Sequence, residues 1–390
     1  MRILWISDAG SHGGFANVTH SIGERLVRDY GHDIHVLAVN YRGDHWPTNL
    51  KLYPATLDDP KDTMGMTRYV KMLAQVMPEA IVFVNDPKVV LNSLMANPFD
   101  PERVLWRGMK MPDGAVYRPP ILAYLAIDGY NSPRSWDFLV DRVQRIAMSH
   151  FGQQTMPEAP VVWHGVDTSV FYPRDKREAK RALGFDPDGF LVLRVDKNTW
   201  RKDYPASWKA LRPALRAHPD IAVHFHCRRN ASDGYDLEGV RWNDEDIRER
   251  VTHTADLGLT VGVGEDQLAT LYSAADLFLS TSWGEGFGLT LLEAMACGTP
   301  ALAQDCSSIT EVVGPGGILV KPKGRMHVPM GQEQCIPDVD KFAYWIEHLY
   351  NARAMREKLG QAAVEHAAQF SWDVAASRFN DLLATAVQTP

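Results

Sequence analysis

Cysteine is scarce: four residues in 390, Cys227, Cys297, Cys306 and Cys335, without paired metal-ligand spacing. That argues against a disulfide-stapled scaffold and a thiolate metal centre, so free thiols in a reducing, cytoplasmic compartment are expected. No run of about 18 apolar residues occurs, so neither a spanning helix nor stable membrane insertion is expected. The apolar stretch at Ile3 to Ile6 meets Asp8 too soon to serve as the core of a signal peptide. Net positive charge is missing as well. Lys and Arg total 41 against 48 Asp and Glu, a formal charge of -7 that gives no general pull toward nucleic acid or anionic lipid. The first strand-to-helix turn carries Gly13-Gly14 in place of the three-glycine dinucleotide fingerprint, which argues against an NAD enzyme. What the chain has is length: at about 150 residues per domain it holds two or three domains. Its 45% hydrophobic and 23% charged residues are those of an ordinary globular protein.

Strand and helix patterns alternate from end to end. A buried strand over 3–7, a glycine-bearing loop over 8–17, a helix over 18–30 closed by Gly31 and a strand over 33–39 make a βαβ unit, whose crossover must be right-handed. Further strands are expected over 80–84, 121–127 and 145–149, with helices over 66–77 and 136–143. Residues 107–120 read as a loop-rich interruption, either near an acceptor or plain surface. A second alternation follows: strand 190–195, helix 205–215, strand 221–227, helix 265–274, and strands 277–280 and 301–303. Pro213 is expected to kink or shorten its helix. His224 and His226 share one face of their strand and read as structural histidines in preference to a metal pair. Ser307 to Gly314 reads as a capped short helix whose amides could meet a ligand. Residues 321–338 form an insertion with no assignment, and 342–349 and 354–370 are helical.

The most informative stretch runs from Ser282 to Pro300, SWGEGFGLTLLEAMACGTP, a loop turning into a helix. Glycines 284, 286 and 288 allow close backbone approach to a ligand, and the helix start offers unpaired N–H groups to an anion. Glu285 and Glu293 flank that anion site. Carboxylates repel phosphate, so they read as acceptors for sugar or ribose hydroxyls, and the implied ligand is a sugar nucleotide.

This stretch resembles the Glu-x7-Glu signature of the family 4 retaining glycosyltransferases. The resemblance implies an α/β, GT-B fold: two Rossmann-like domains with a cleft between them. It also implies that Glu285 contacts the donor sugar, that Glu293 contacts the ribose, and that Gly286, Phe287, Gly288 and Leu289 line the donor. Trp163 to Pro173 is similar to the family's interdomain segment, with His164 in place of the usual Asn and a hinge-side hydrogen-bonding role expected for it. Phe370-Ser371-Trp372 is similar to the turn before a last helix that returns to the first domain. The expected domains are 1–163 plus 372–390, and 164–371.

Asp196 to Asp203, DKNTWRKD, is similar to the family's diphosphate clamp, Gly-Arg, four residues, then Lys-Gly. Lys197 and Lys202 keep the spacing, Asp replaces both glycines, and Arg201 is an additional cation. Two fixed cations and a helix end can neutralise a leaving diphosphate, so neither a metal nor any other cofactor is expected. Gly13 and Gly14 resemble the glycine loop that faces the donor phosphates. Asp128 stands where many relatives place a sugar-contacting His, and reads either as a substitute for it or as the start of a turn; His12 and His20 read as structural. The loop from Thr260 to Gly264 is expected over the base. The implied activity is metal-independent, same-face transfer from a UDP- or GDP-sugar to an unidentified glycan, protein, small molecule or modified nucleic acid. A nucleotide-sugar epimerase or a non-catalytic sugar-nucleotide-binding module is the alternative. The oligomeric state is not readable.

Overall fold

The structure is a computed structural model that describes residues 1–95, 109–110, 114, 116–139, 143–241, 244–258 and 262–388. The chain divides into two compact units. The first comprises Met1–Ile127, Asn131–Gly165 and Trp372–Pro390, and the second comprises Asp128–Tyr130 and Val166–Ser371.

In the first unit the elements run β1 (Arg2–Asp8), α1 (Gly14–Tyr30), β2 (Asp33–Val39), β3 (Lys51–Pro54), α2 (Met66–Val76), β4 (Ala80–Asn85), α3 (Pro87–Met95), a small β5 (Met109–Lys110) and β6 (Val116–Tyr117) pair, β7 (Ile121–Leu125), β8 (Gln144–Ala147) and α4 (His150–Thr155). Six strands form one parallel sheet in the order β3-β2-β1-β4-β7-β8. Strands such as Ala80–Asn85 are buried along nearly their whole length, as a sheet covered on both faces requires. The helix after β1 starts at Gly14, four residues earlier than its apolar pattern suggests, with Gly13 as its N-cap. Residues 140–142, the end of the expected helix over 136–143, lie outside the described residues, and residues 134–139 form a 3₁₀ turn. The loop-rich stretch over 107–120 lies partly outside them too, at 107–108, 111–113 and 115. The last helix, α13 in chain order (Trp372–Gln388), belongs to this unit, where the Phe379 ring meets Trp5 and Tyr124 at 5.3 and 5.6 Å. His164 is buried here, stacked 5.6 Å from the Trp372 ring. Burial brings its pKa down to about 3, so it is a neutral core ring.

The second unit runs α5 (Lys176–Ala182), β9 (Phe190–Val195), α6 (Tyr204–Ala217), β10 (Ile221–His226), α7 (Leu237–Arg241), β11 (Val251–His253), α8 (Glu265–Ala274), β12 (Leu277–Ser280), α9 (Leu289–Ala296), β13 (Ala301–Gln304), α10 (Ile309–Val313), β14 (Gly317–Val320), the hairpin β15 (Gly324–His327) and β16 (Glu333–Ile336), α11 (Val339–Asn351) and α12 (Arg353–Ala367). Its parallel sheet has the order β11-β10-β9-β12-β13-β14, the same doubly wound pattern as the first. Pro213 does not cut α6 short: the helix continues for four more residues. Pro213 and Lys209, whose carbonyl loses its helical donor, are both on the solvent side, while Leu211, Ala214 and Leu215 are buried. Water can satisfy that carbonyl, so the helix persists. His224 is buried and bonds Thr252 Oγ1 at 2.9 Å through Nδ1, a structural role.

In this sheet the strand order turns at β9 and β12, which pair with each other through Val192 and Leu193 against Leu277 and Phe278. The loops leaving their C-terminal ends, 196–203 and 281–288, therefore emerge side by side at the topological switch point, where doubly wound sheets bind ligands.

Candidate active site on the second unit

Those two loops build one buried charge cluster. Glu285 is 7% exposed, and its carboxylate accepts from Lys202 Nζ at 2.5 Å and from Arg201 Nη1 at 2.9 Å. Lys202 also donates to Asp196 at 2.5 Å, and Arg201 lies 3.7 Å from Asp128 and donates to the Gly284 carbonyl at 2.6 Å. Burial works to raise the pKa of Glu285, but the fields and hydrogen bonds of Arg201 and Lys202 outweigh it and bring it down to about 2. Burial raises the Asp128 carboxyl above its ordinary value, opposed by Arg201 and reinforced by Glu285. Lys197 does not join: its side chain is 74% exposed and pairs with Asp233 at 2.8 Å. The two cations brought to Glu285 are thus Arg201 and Lys202, while Lys197, expected with Lys202 to clamp the donor diphosphate, pairs with Asp233. The 3₁₀ turn over Trp200–Lys202 aims consecutive residues at one carboxylate, which the spacing could not convey.

Backbone geometry accounts for this arrangement. Asp203 has φ +45°, a left-handed conformation in which glycine is unstrained. Its carboxylate compensates by accepting from the Ala206 amide at 3.1 Å, capping α6, and from Trp283 Nε1 at 2.8 Å. The aspartate therefore ties the two loops together. Arg194, fully buried within β9, is a residue the sequence reading passed over. It donates to Asp196 Oδ2 at 3.2 Å, to Thr281 at 2.8 Å and to the Lys202 carbonyl, with its guanidinium 4.2 Å from the Tyr204 ring centre. The signal was available: a lone Arg in an apolar strand, two residues before an Asp.

On the other side, Ser308 does not cap α10 with its side chain. Its hydroxyl donates to the carbonyls of Glu285 at 2.7 Å and Phe287 at 2.8 Å, while Ser307 Oγ accepts from the Glu285 amide at 2.9 Å. Both serines pin the acidic loop. The Phe287 side chain is buried against Phe370. Gly286, Gly288 and Leu289 are partly exposed, and Gly288, at φ +111°, is the N-cap of α9 and supplies no side-chain acceptor to the first amides. Gly284 is glycine for a different reason from the expected one: a Cβ there would sit 1.9 Å from the Asp128 carbonyl oxygen, so the close approach is by this chain's own backbone.

Glu293, one turn into α9, is 6% exposed and accepts from Tyr272 Oη at 2.8 Å. Burial pushes its pKa up to about 8, despite the Tyr272 bond and with Glu265 adding to the rise. Unfolding would release that proton near the ordinary value of 4.5, so stability falls as pH rises from there to about 8. Glu293→Gln should flatten this fall. Its melting temperature is expected to exceed that of wild type above about pH 8 and to match it near pH 4; equal melting curves at both pH values would refute the assignment.

Gly13 and Gly14 lie in the first unit, both exposed, at the start of α1, where the Gly13 amide donates to Ser11 Oγ at 3.1 Å. His20 bonds the Ala9 carbonyl at 3.0 Å and stacks 5.5 Å from Trp46, which His12 also flanks. Thr260, at the start of the loop expected over the base, lies outside the described residues together with 261. The Asp-x-Asp triplets at 186–188, 244–246 and 338–340 serve elsewhere: Asp188 pairs with Arg177, Asp244 with Arg216, and Asp338 caps α11.

Residues 193–350, which include both loops, match the family Glycosyl transferases group 1. That stretch is similar to a group 1 glycosyltransferase domain. A D-inositol 3-phosphate glycosyltransferase of Paenarthrobacter aurescens is 29% identical over 245 residues, 62% of this chain and 53% of that protein. The enzyme of the same name from Mycobacterium bovis is 35% identical over 219 residues, 55% of this chain and 41% of that protein. The chain thus spans about half the length of these curated relatives. Among solved structures, sucrose-phosphate synthase from Thermosynechococcus elongatus superposes with a TM-score of 0.71 at 19% identity, over 100% of both chains. Anabaena HepE in complex with UDP-glucose gives 0.70 at 16% identity, over 99% of this chain and 100% of the other. At such identities the likeness is one of fold, the two-unit Rossmann-like GT-B fold. Among the described residues no helix is long and apolar enough to cross a membrane.

Proposed function

We propose that this chain is a retaining glycosyltransferase that moves a sugar from a UDP- or GDP-sugar to an acceptor without a metal ion. The observation that carries the reading is Glu285, a buried carboxylate held by Arg201 and Lys202 eight residues before Glu293 at the start of a helix. The cluster balances without ligand: Arg194, Arg201 and Lys202 against Asp128, Asp196 and Glu285. A donor diphosphate draws Arg201 and Lys202 toward itself, aided by the uncapped amides of α9, and so frees Glu285 oxygens for sugar hydroxyls. As the glycosidic bond breaks, charge grows on the departing phosphate, where the same cations stabilise it. In same-face displacement that phosphate oxygen takes the acceptor's proton, so Glu285 acts by orienting the sugar and is neither base nor nucleophile. Glu293 holds the ribose. HepE, solved in complex with UDP-glucose, supports a nucleotide-sugar donor by analogy, and the inositol phosphate enzymes support glycosyl transfer.

The test is a panel of UDP-, GDP- and ADP-sugars with varied acceptors, scored for free nucleoside diphosphate with and without chelator. Release from one donor, unchanged by chelator, is expected. Loss of release with chelator overturns the metal-free mechanism. Donor binding without release under any acceptor favours a non-catalytic sugar-nucleotide binder.

A further inference from the structure

The loop that carries Arg201 and Lys202 also carries an aromatic ring open to solvent. Trp200, the residue before Arg201, is 53% exposed, and its indole meets the Tyr235 ring edge to face, with centres 4.7 Å apart. Its backbone is tied down: the Trp200 amide donates to the Asp233 carbonyl at 3.2 Å, and the Trp200 carbonyl accepts from the Tyr235 hydroxyl at 2.9 Å and the Asp203 amide at 3.1 Å. Residues 228–236, which supply Tyr235, are locked to the loop by Asn198, itself 1% exposed. The Asn198 side-chain nitrogen donates to the carbonyls of Arg228, Arg229 and Tyr235 at 3.1, 3.2 and 2.7 Å, and its oxygen accepts from the Tyr235 amide at 3.0 Å. A Cβ at Gly234 would overlap the Asn198 carbonyl oxygen, so no side chain fits between these two layers. An exposed indole is thus held rigid beside the cations that grip Glu285.

The sheet fixes which end of a donor this ring faces. Leu191 and Val192 are consecutive in β9 and point to opposite faces: Leu191 packs with Ala179 of α5 and Ala274 of α8, and Val192 with the core that holds Trp208 and Leu211 of α6. Glu293, bonded by Tyr272 of α8, belongs to the first side. Trp200 and Tyr235 belong to the second, since one leads into α6 and the other packs against the core that α6 covers. With the ribose assigned to Glu293, Trp200 stands at the opposite end of the donor, next to the Arg201 that bonds the sugar-orienting Glu285. That is the end an acceptor must approach.

The exposed neighbours of the ring, Ser232, Asp233 and Asp236, are polar, so the apolar surface is about one indole wide. A stable protein interface takes about 800 Å² from each partner, far more than this. The ligand that fits is small, polar at its rim and apolar on one face. A pyranose has that form: hydroxyls project around the ring, and its C–H groups offer partial positive charge to the electron-rich face of an indole.

We propose that Trp200, braced by Tyr235, is an acceptor-binding platform, and that the acceptor presents a pyranose ring whose C–H face stacks on the indole. This rests on the transferase reading above and names the class of its acceptor, a saccharide or glycoside in place of an acyclic hydroxyl. Because Asn198 and Tyr235 fix the platform beforehand, little ordering cost is left to binding.

The test measures nucleoside diphosphate release at saturating donor while adding the methyl glycosides of D-glucose, D-galactose and D-mannose or, as ring-less controls, sorbitol and a serine-containing peptide. At least one pyranoside is expected to stimulate wild-type release above that with water alone. Trp200→Ala should raise the KM for that pyranoside about tenfold, with donor KM within about twofold of wild type and an unchanged melting temperature, and Trp200→Phe, which keeps a flat ring, should restore most of the loss. Stimulation by sorbitol or the peptide but by no pyranoside overturns the proposal, as does a Trp200→Ala variant whose acceptor KM is unchanged or whose donor KM rises equally. Should the alanine variant unfold, Trp200→Leu keeps apolar bulk without an aromatic face and must raise acceptor KM in the same way. Tryptophan fluorescence separates the platform from the transferase reading. A wild type that releases nothing with any donor or acceptor overturns that reading, whereas a glycoside that shifts the emission of wild type but not of Trp200→Phe still supports the platform. No shift with any of the three glycosides overturns it.

Discussion

Glu285→Gln is expected to lower nucleoside diphosphate release from the donor sugar about a hundredfold or more. The wild-type carboxylate accepts two charge-assisted bonds, from Lys202 and Arg201, and its own amide is fixed by Ser307. Arg201 and Lys202 bond different oxygens of the carboxylate, whereas an amide presents one neutral oxygen and an NH2 group, so one cation faces N–H donors in place of an acceptor. The sugar loses its orienting acceptor, and the cations lose the group that spaces them. The loss should fall mainly on kcat, because the proposed mechanism assigns the diphosphate and ribose contacts to other residues. A variant within about threefold of wild-type turnover would remove Glu285 from the site.

Lys202→Ala should be the second large effect, with turnover down about a hundredfold. Its ammonium is the direct bridge between Asp196 and Glu285, both nearly buried, and truncation leaves two carboxylates facing each other without it. Breaking a buried pair in this way costs on the order of 3–5 kcal/mol, so a fall in melting temperature should accompany the loss of rate. Arg194 remains on Asp196 and Arg201 on Glu285, which should keep the chain folded. Lys197→Ala supplies the contrast. That side chain is solvent-exposed and pairs with the exposed Asp233, away from Glu285, so turnover within about threefold of wild type is expected. Steady-state rates for the two lysine variants check the pair of expectations, and a Lys197→Ala defect as large as that of Lys202→Ala would contradict the geometry.

Much of the architecture is legible in the sequence because buried parallel strands leave apolar blocks such as FLVLRV and LFLS, separated by helical periodicity. The edge strand Lys51–Pro54 is not, since it is short and half-exposed, and β11 and β14 are too brief to stand out. Pro213 misleads because local propensity ignores which side of a helix faces water. At the site, Glu285, Glu293 and Lys202 are legible as residue types at a telling spacing. Which cation turns inward is not, because the choice between Lys197 and Arg201 depends on a single turn of 3₁₀ helix and on Asp203 taking a left-handed conformation.

The division of labour within the Glu285–Glu293 loop is tested most directly by titrating nucleoside diphosphate and intact nucleotide-sugar calorimetrically into wild type, Glu285→Gln and Glu293→Gln. The account predicts that Glu293→Gln weakens both ligands about tenfold. Glu285→Gln should weaken only the nucleotide-sugar and leave the free diphosphate bound at least as tightly as before, since Arg201 and Lys202 no longer share themselves with a carboxylate. Nucleoside diphosphate binding that is unchanged by Glu293→Gln and lost with Glu285→Gln would contradict it.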